Sequence, residues 1–163
     1  MDLTGEHFDR FDGYEAYFSF DIPRELPGDV TLWVWGSYVD LDIGGTEERC
    51  YVKGYAPVCF REVAGFRINV ALYRATGDMI RDGEGKIVAL SRSWGVSGGD
   101  GTIMYDFQGV SVWPLGECDF TVWGRGEVTI DLHEAEIVPG ASPADRALPP
   151  ELEGKFGRSI QPD

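Results

Sequence analysis

Five stretches of the chain alternate apolar and polar residues with the period of a β-strand. In 30–35, Val30, Leu32 and Val34 oppose Thr31, Trp33 and Trp35. In 66–73, Phe66, Ile68, Val70 and Leu72 oppose Arg67, Asn69, Ala71 and Tyr73. In 14–20, Tyr14, Ala16, Phe18 and Phe20 oppose Glu15, Tyr17 and Ser19. In 110–113, Val110 and Val112 oppose Ser111 and Trp113, and in 120–123, Phe120 and Val122 oppose Thr121 and Trp123. Side chains on a strand point to alternate faces, so each stretch predicts one face for a core and a second that carries the spare aromatics. That second face needs a cover, from elsewhere in the chain or from a partner.

Turn signals separate these stretches: Pro27-Gly28-Asp29, Gly44-Gly45, Gly77-Asp78, Asp82-Gly83-Glu84-Gly85, Gly98-Gly99-Asp100-Gly101, Pro114-Leu115-Gly116 and Gly124-Arg125-Gly126. Strands are expected near 14–22, 30–43, 49–55, 63–75, 86–92, 103–107, 110–113, 118–123 and 127–138. Many short strands with no long amphipathic helix predict an all-β protein, an antiparallel β-sandwich of the jelly-roll or immunoglobulin-like kind. In 127–138 the pattern changes phase: Val128, Ile130 and Leu132 share one parity, Ala135 and Ile137 the other. A bulge near His133-Glu134 would restore one apolar face.

From Pro139 the character changes. Residues 1–138 read as the sandwich domain and 139–163 as a Pro/Gly-containing C-terminal arm. Ser142-Pro143-Ala144-Asp145 has the capping serine, early proline and acid of a short helical turn, which Pro149-Pro150 would end. Beyond it Leu148, Leu152, Phe156 and Ile160 are too sparse for a core, so the arm is a loose tail or lies on another surface.

At 163 residues and 43% hydrophobic content the chain is long and apolar enough for one domain with its own core. No run of 18 apolar residues occurs, and no membrane span is expected. The start, Met1 to His7, lacks a basic and an apolar region, so no signal peptide is expected. The formal net charge is −14, which argues against nucleic acid as a ligand and favours a cationic partner. The charge is uneven: residues 1–30 and 93–138 are strongly acidic, while 63–92 hold Arg67, Arg74, Arg81, Lys86 and Arg92 against three acids. Three cysteines, Cys50, Cys59 and Cys118, are an odd count, which suggests free thiols in a reducing, cytoplasmic setting.

Catalytic signals are weak. Gly95-Val96-Ser97-Gly98-Gly99 matches G-x-S-x-G, and Asp119 or Asp131 followed by His133 would complete a hydrolase order. The motif needs a helix after the serine, whereas Gly101–Tyr105 reads as a strand. Asp131 and His133 share a parity and could hold a metal or act as a base, but zinc would also need a cysteine, without any C-x-x-C spacing. The acids at 78–84 lack EF-hand spacing and read as a hairpin turn. No cofactor is expected.

The best candidate is the aromatic strand face: Trp33, Trp35, Trp113, Trp123, Tyr17 and Tyr73. The expected function is non-catalytic binding of a protein partner, a cationic one by the charge argument, or self-association. The chain would act as an inhibitor, an immunity-type neutraliser or a subunit of an intracellular or viral assembly. One alternative is a carbohydrate-binding module using the surface tryptophans. Another is a small serine hydrolase using Ser97.

Overall fold

A computed structural model describes residues 2–4, 9–13, 16–95, 98–99, 101–140 and 148–153. The elements are β1 (Asp2–Leu3), β2 (Phe11–Asp12), β3 (Ala16–Asp21), β4 (Gly28–Trp35), β5 (Tyr38–Ile43), β6 (Thr46–Lys53), β7 (Tyr55–Leu72), β8 (Ala89–Gly95), β9 (Ile103–Val112), β10 (Leu115–Gly124), β11 (Val128–Asp131) and β12 (Glu136–Pro139), then a 3-10 turn at Pro150–Leu152. They form an all-β sandwich of an eight-stranded and a four-stranded sheet, with the smaller ordered β12-β6-β5-β2. Phe11, Val39, Cys50 and Val52 of the smaller sheet share one buried core with Phe18, Leu32, Val58, Phe60, Phe120 and Val122 of the larger.

The larger sheet curls until it meets itself. The 18-residue β7 carries β10 and β11 along one edge and β4 and β8 along the other. Pairings run from β7 through β10, β9, β3 and β4 back to β7. A closed ring of five strands cannot alternate direction all the way round, so one neighbouring pair must be parallel. That pair is β3–β9, with Ala16 opposite Gly109 and Phe18 opposite Ser111. Every other strand pair among the described residues is antiparallel, as the turn-rich sequence predicts. A bulge at Arg61-Glu62 bends β7 between its two halves. Glu62 has φ +51°, its N–H is accepted by Asp29, and Arg61 pairs with the same carboxylate.

Most of the predicted inward residues are in the core. Phe18, Leu32, Val34, Val70, Phe120 and Val122 are fully buried, Ile68 nearly so, and Phe20 is half-buried. Three expectations need correction. The stretch 30–43 is two strands, because Gly36 (φ +86°) turns the chain from the larger sheet into the smaller. The phase change in 127–138 is likewise a change of sheet. β11 belongs to the larger sheet and β12 to the smaller, and a turn at His133-Glu134 joins them where a bulge was expected. Third, β9 faces the opposite way. Phe107 and Ser111 point inward, while Val110 and Val112 lie on the outer side. A side chain at Gly109 would overlap the Ala16 carbonyl and the Phe18 ring, so the parallel crossing leaves room for small residues alone.

The Ser142–Asp145 turn lies outside the described residues. Pro149-Pro150, expected to stop a helix, instead lead into the 3-10 turn. No helix among the described residues is long and apolar enough to cross a membrane.

Candidate functional site

The outer face of β4, β7, β11 and β1 is assembled by register. Trp33 lies opposite Pro57, Ile130 opposite Val58, and Asp131 opposite Asp2. Trp33, Pro57, Asp131 and Asp2 therefore form one row across four strands that are far apart in sequence. The turn after β11 adds His133, Glu134 and Ala135, and Tyr55 closes one end. The result is a cleft of about 540 Å³. Trp33 is 38% exposed there, a large apolar surface open to solvent.

The cleft is acidic. Asp2, Asp131 and Glu134 line it, with no lysine or arginine among the lining residues. The Asp131 carboxylate accepts the backbone N–H of His133 at 2.9 Å, which holds its pKa below the ordinary carboxylate value and keeps it ionised. The Tyr55 hydroxyl donates to Glu151 at 2.9 Å, and its ring meets Trp35 edge-on at 5.0 Å. Burial, then the Glu151 hydrogen bond, raise the Tyr55 pKa, so the phenol stays neutral. An aromatic ring beside the Asp131 carboxylate offers a cation a quadrupole and a full charge together.

The six aromatics singled out in the sequence occupy different places. Trp33 lines the cleft. Tyr17 lies opposite Trp35, and both join Tyr73 in a cluster beside the cleft. Trp123 sits at the far end of β10, 9% exposed, with the Arg67 guanidinium 5.8 Å from its ring centre. Trp113 stands 85% exposed in the β9–β10 turn. The fold thus brings four of the six onto neighbouring surfaces, with Trp113 in the turn between Val112 and Leu115 of that cluster and Trp123 at the opposite end of β10.

Of the chemical candidates, Ser97 lies outside the described residues. Gly95 ends β8 and the strand β9 begins at Ile103, where a nucleophile elbow would need a helix. Asp131 and His133 both enter the cleft, yet no group of three or more His, Cys, Asp or Glu among the described residues is placed to hold a metal. The Asp82 carboxylate accepts the N–H groups of Glu84 and Lys86 and so serves its own turn. All three cysteines are free thiols.

Sequence reasoning missed Tyr55, Pro57 and Asp2, which no local pattern marks. It also missed Asp106, whose carboxyl neighbours that of Asp119, named above only as a triad candidate, on the outer face of β9 and β10. Thr121 is buried and donates to Asp106 at 2.8 Å, while Asp119 lies opposite Gln108. Desolvation first, then Asp106, raise the pKa of Asp119. A hairpin centred on Trp113-Pro114 places these residues side by side, so the turn itself was the available signal.

No protein-family model matches the chain, and neither does any curated protein or any solved structure.

Proposed function

We propose that this domain is a binding protein that seats a cationic side chain of a protein partner in the Trp33–Tyr55 cleft. The observation that carries the reading is the exposed Trp33 ring set in one row with the Asp131 and Asp2 carboxylates. A lysine or arginine over such a ring gains about 0.5–2 kcal/mol, more as water is excluded. The net charge of −14 steers a basic partner toward the same face.

A second reading, carbohydrate binding, draws on the same ring. Trp33 could stack on a sugar while Asp2 and Asp131 accept hydrogen bonds from hydroxyls. Titration of tryptophan fluorescence separates the two. Short Arg- and Lys-bearing peptides should perturb the signal, the response should vanish in Trp33→Ala, and it should weaken in Asp131→Asn. Binding should also fall as salt rises, because exposed charges are screened over about 8–10 Å at physiological ionic strength. A salt-insensitive response to neutral oligosaccharides, with none to the peptides, would overturn the cationic reading and favour the sugar.

A further inference from the structure

Beside the cleft, the outer face of the ring carries a second apolar cluster. Tyr17, Val112 and Leu152 are buried together, and Trp35, Tyr73, Val110, Leu115 and Leu148 pack against them. Two of these residues, Leu148 and Leu152, belong to the C-terminal segment Leu148-Pro149-Pro150-Glu151-Leu152. This segment covers the outward side of β9 and explains why Val110 and Val112 can face away from the core.

The segment lies on the sheet as a ligand would. It joins no strand ladder. Its described backbone hydrogen bonds, Leu152 N–H to Pro149 and Glu153 N–H to Pro150, are internal. Pro149 has φ −58° and ψ 151°, the polyproline II conformation, and Pro150–Leu152 winds into the 3-10 turn. Its attachment is through side chains. Leu152 is 1% exposed, and Glu151 accepts the Tyr55 hydroxyl. An aromatic groove holding a proline-containing segment by spaced anchors is a recurring form of peptide recognition, because the polyproline backbone has little entropy left to lose.

We infer that the groove formed by Tyr17, Trp35, Tyr55 and Tyr73 is a peptide-recognition site for a partner-protein segment of the pattern Leu-Pro-Pro-acid-Leu. The chain's own residues 148–153 are its built-in competitor. The partner's chemistry is read from the occupant already seated: two leucine anchors, a proline pair between them, and a carboxylate for the Tyr55 hydroxyl. A tethered segment acts at an effective concentration of about 1 mM, so a partner must exceed that competition or bind through a second contact as well. Groove and cleft adjoin at Tyr55 but rest on different rings, Trp35 and Trp33, so failure of one leaves the other standing.

The test uses the full chain and a labelled synthetic peptide of residues 147–154. Leu152→Asp, which removes the buried anchor of the chain's own segment, should bind the peptide at least tenfold more tightly than the wild-type chain. Adding Trp35→Ala should abolish that binding, and a peptide with both prolines changed to alanine should bind at least tenfold more weakly. Should Leu152→Asp fail to fold, Pro149→Gly, which loosens the polyproline backbone, gives the same readout. Absence of peptide binding to a variant that retains its native circular dichroism and melting transition would overturn the proposal. So would equal binding of a scrambled peptide. A wild-type dimer that forms as concentration rises, and is dispersed by the peptide, would overturn the partner assignment and make a second copy the occupant.

Discussion

The Tyr55 hydroxyl donates to the Glu151 carboxylate at 2.9 Å, joining residues 96 positions apart. It ties the C-terminal segment to β7, the strand around which the larger sheet closes. Burial first and Glu151 second raise the Tyr55 pKa above its ordinary value. The pair therefore contributes below the ordinary tyrosine range, near pH 10, and its contribution is lost as pH rises through the folded-state value. Among the seven tyrosines, Tyr55 should be one of those that ionise late in a tyrosinate absorbance titration, with Tyr73, which burial also raises, and Tyr55→Phe should reduce the late amplitude. At neutral pH the variant should lose less than about 1 kcal/mol, since solvent screens the partner carboxylate. Full tyrosinate amplitude in the ordinary range would contradict this.

Gly109→Ala should be among the most destabilising single-methyl changes in the chain. The added carbon would overlap the Ala16 carbonyl and the Phe18 ring at the parallel crossing, and backbone cannot yield as a flexible side chain does. A loss of about 1–3 kcal/mol or more is expected in urea unfolding. A variant as stable as wild type would mean that β3 and β9 do not meet as described.

Cys118 is 2% exposed, and desolvation pushes its thiol up to about 12 from an ordinary 9.0. The native chain should leave Cys118 unmodified by iodoacetamide at neutral pH, whereas the unfolded chain should react. The sign follows from the raised value. Stability is intact below 9.0 and falls as pH climbs toward 12, because the unfolded chain releases a proton that the folded chain keeps. The slope is at most about 1.4 kcal/mol per pH unit. Cys118→Ala should flatten that alkaline limb in chemical denaturation, and an unchanged limb would count against a buried thiol.

Asp119→Asn should stabilise the protein as pH rises. The Asp119 carboxyl is raised by desolvation and by Asp106, so ionising it costs the folded state more than the unfolded one. That cost is absent while both states are protonated and appears as pH passes upward through the folded-state value. The difference in melting temperature between Asp119→Asn and wild type should therefore grow from acidic to neutral pH. A constant difference would rule out the shifted carboxyl.

The all-β class and most inward faces were legible because alternation is a local property. Leu32 and Val34, Ile68 and Val70, and Phe120 and Val122 needed nothing but a strand and one apolar side. Alternation does not say which apolar side is the core when both sides are covered. Val110 and Val112 carry the stronger pattern, yet they pack under Leu152, while Gly109 and Ser111 face inward at the crossing with β3. Nor does periodicity reveal a change of sheet, so the phase shift after Asp131 reads like a bulge until β12 is seen beside β6.

The candidate cleft shows the same division. Trp33 was marked by its place on a polar face. Its neighbours Pro57, Asp131 and Asp2 come from β7, β11 and β1, and pairing between distant strands is set by closure of the whole ring. The composition already determined an acidic, aromatic, strand-built domain. Tertiary register decided which aromatics meet which acids, because contacts across strands depend on partners that no single stretch of sequence names.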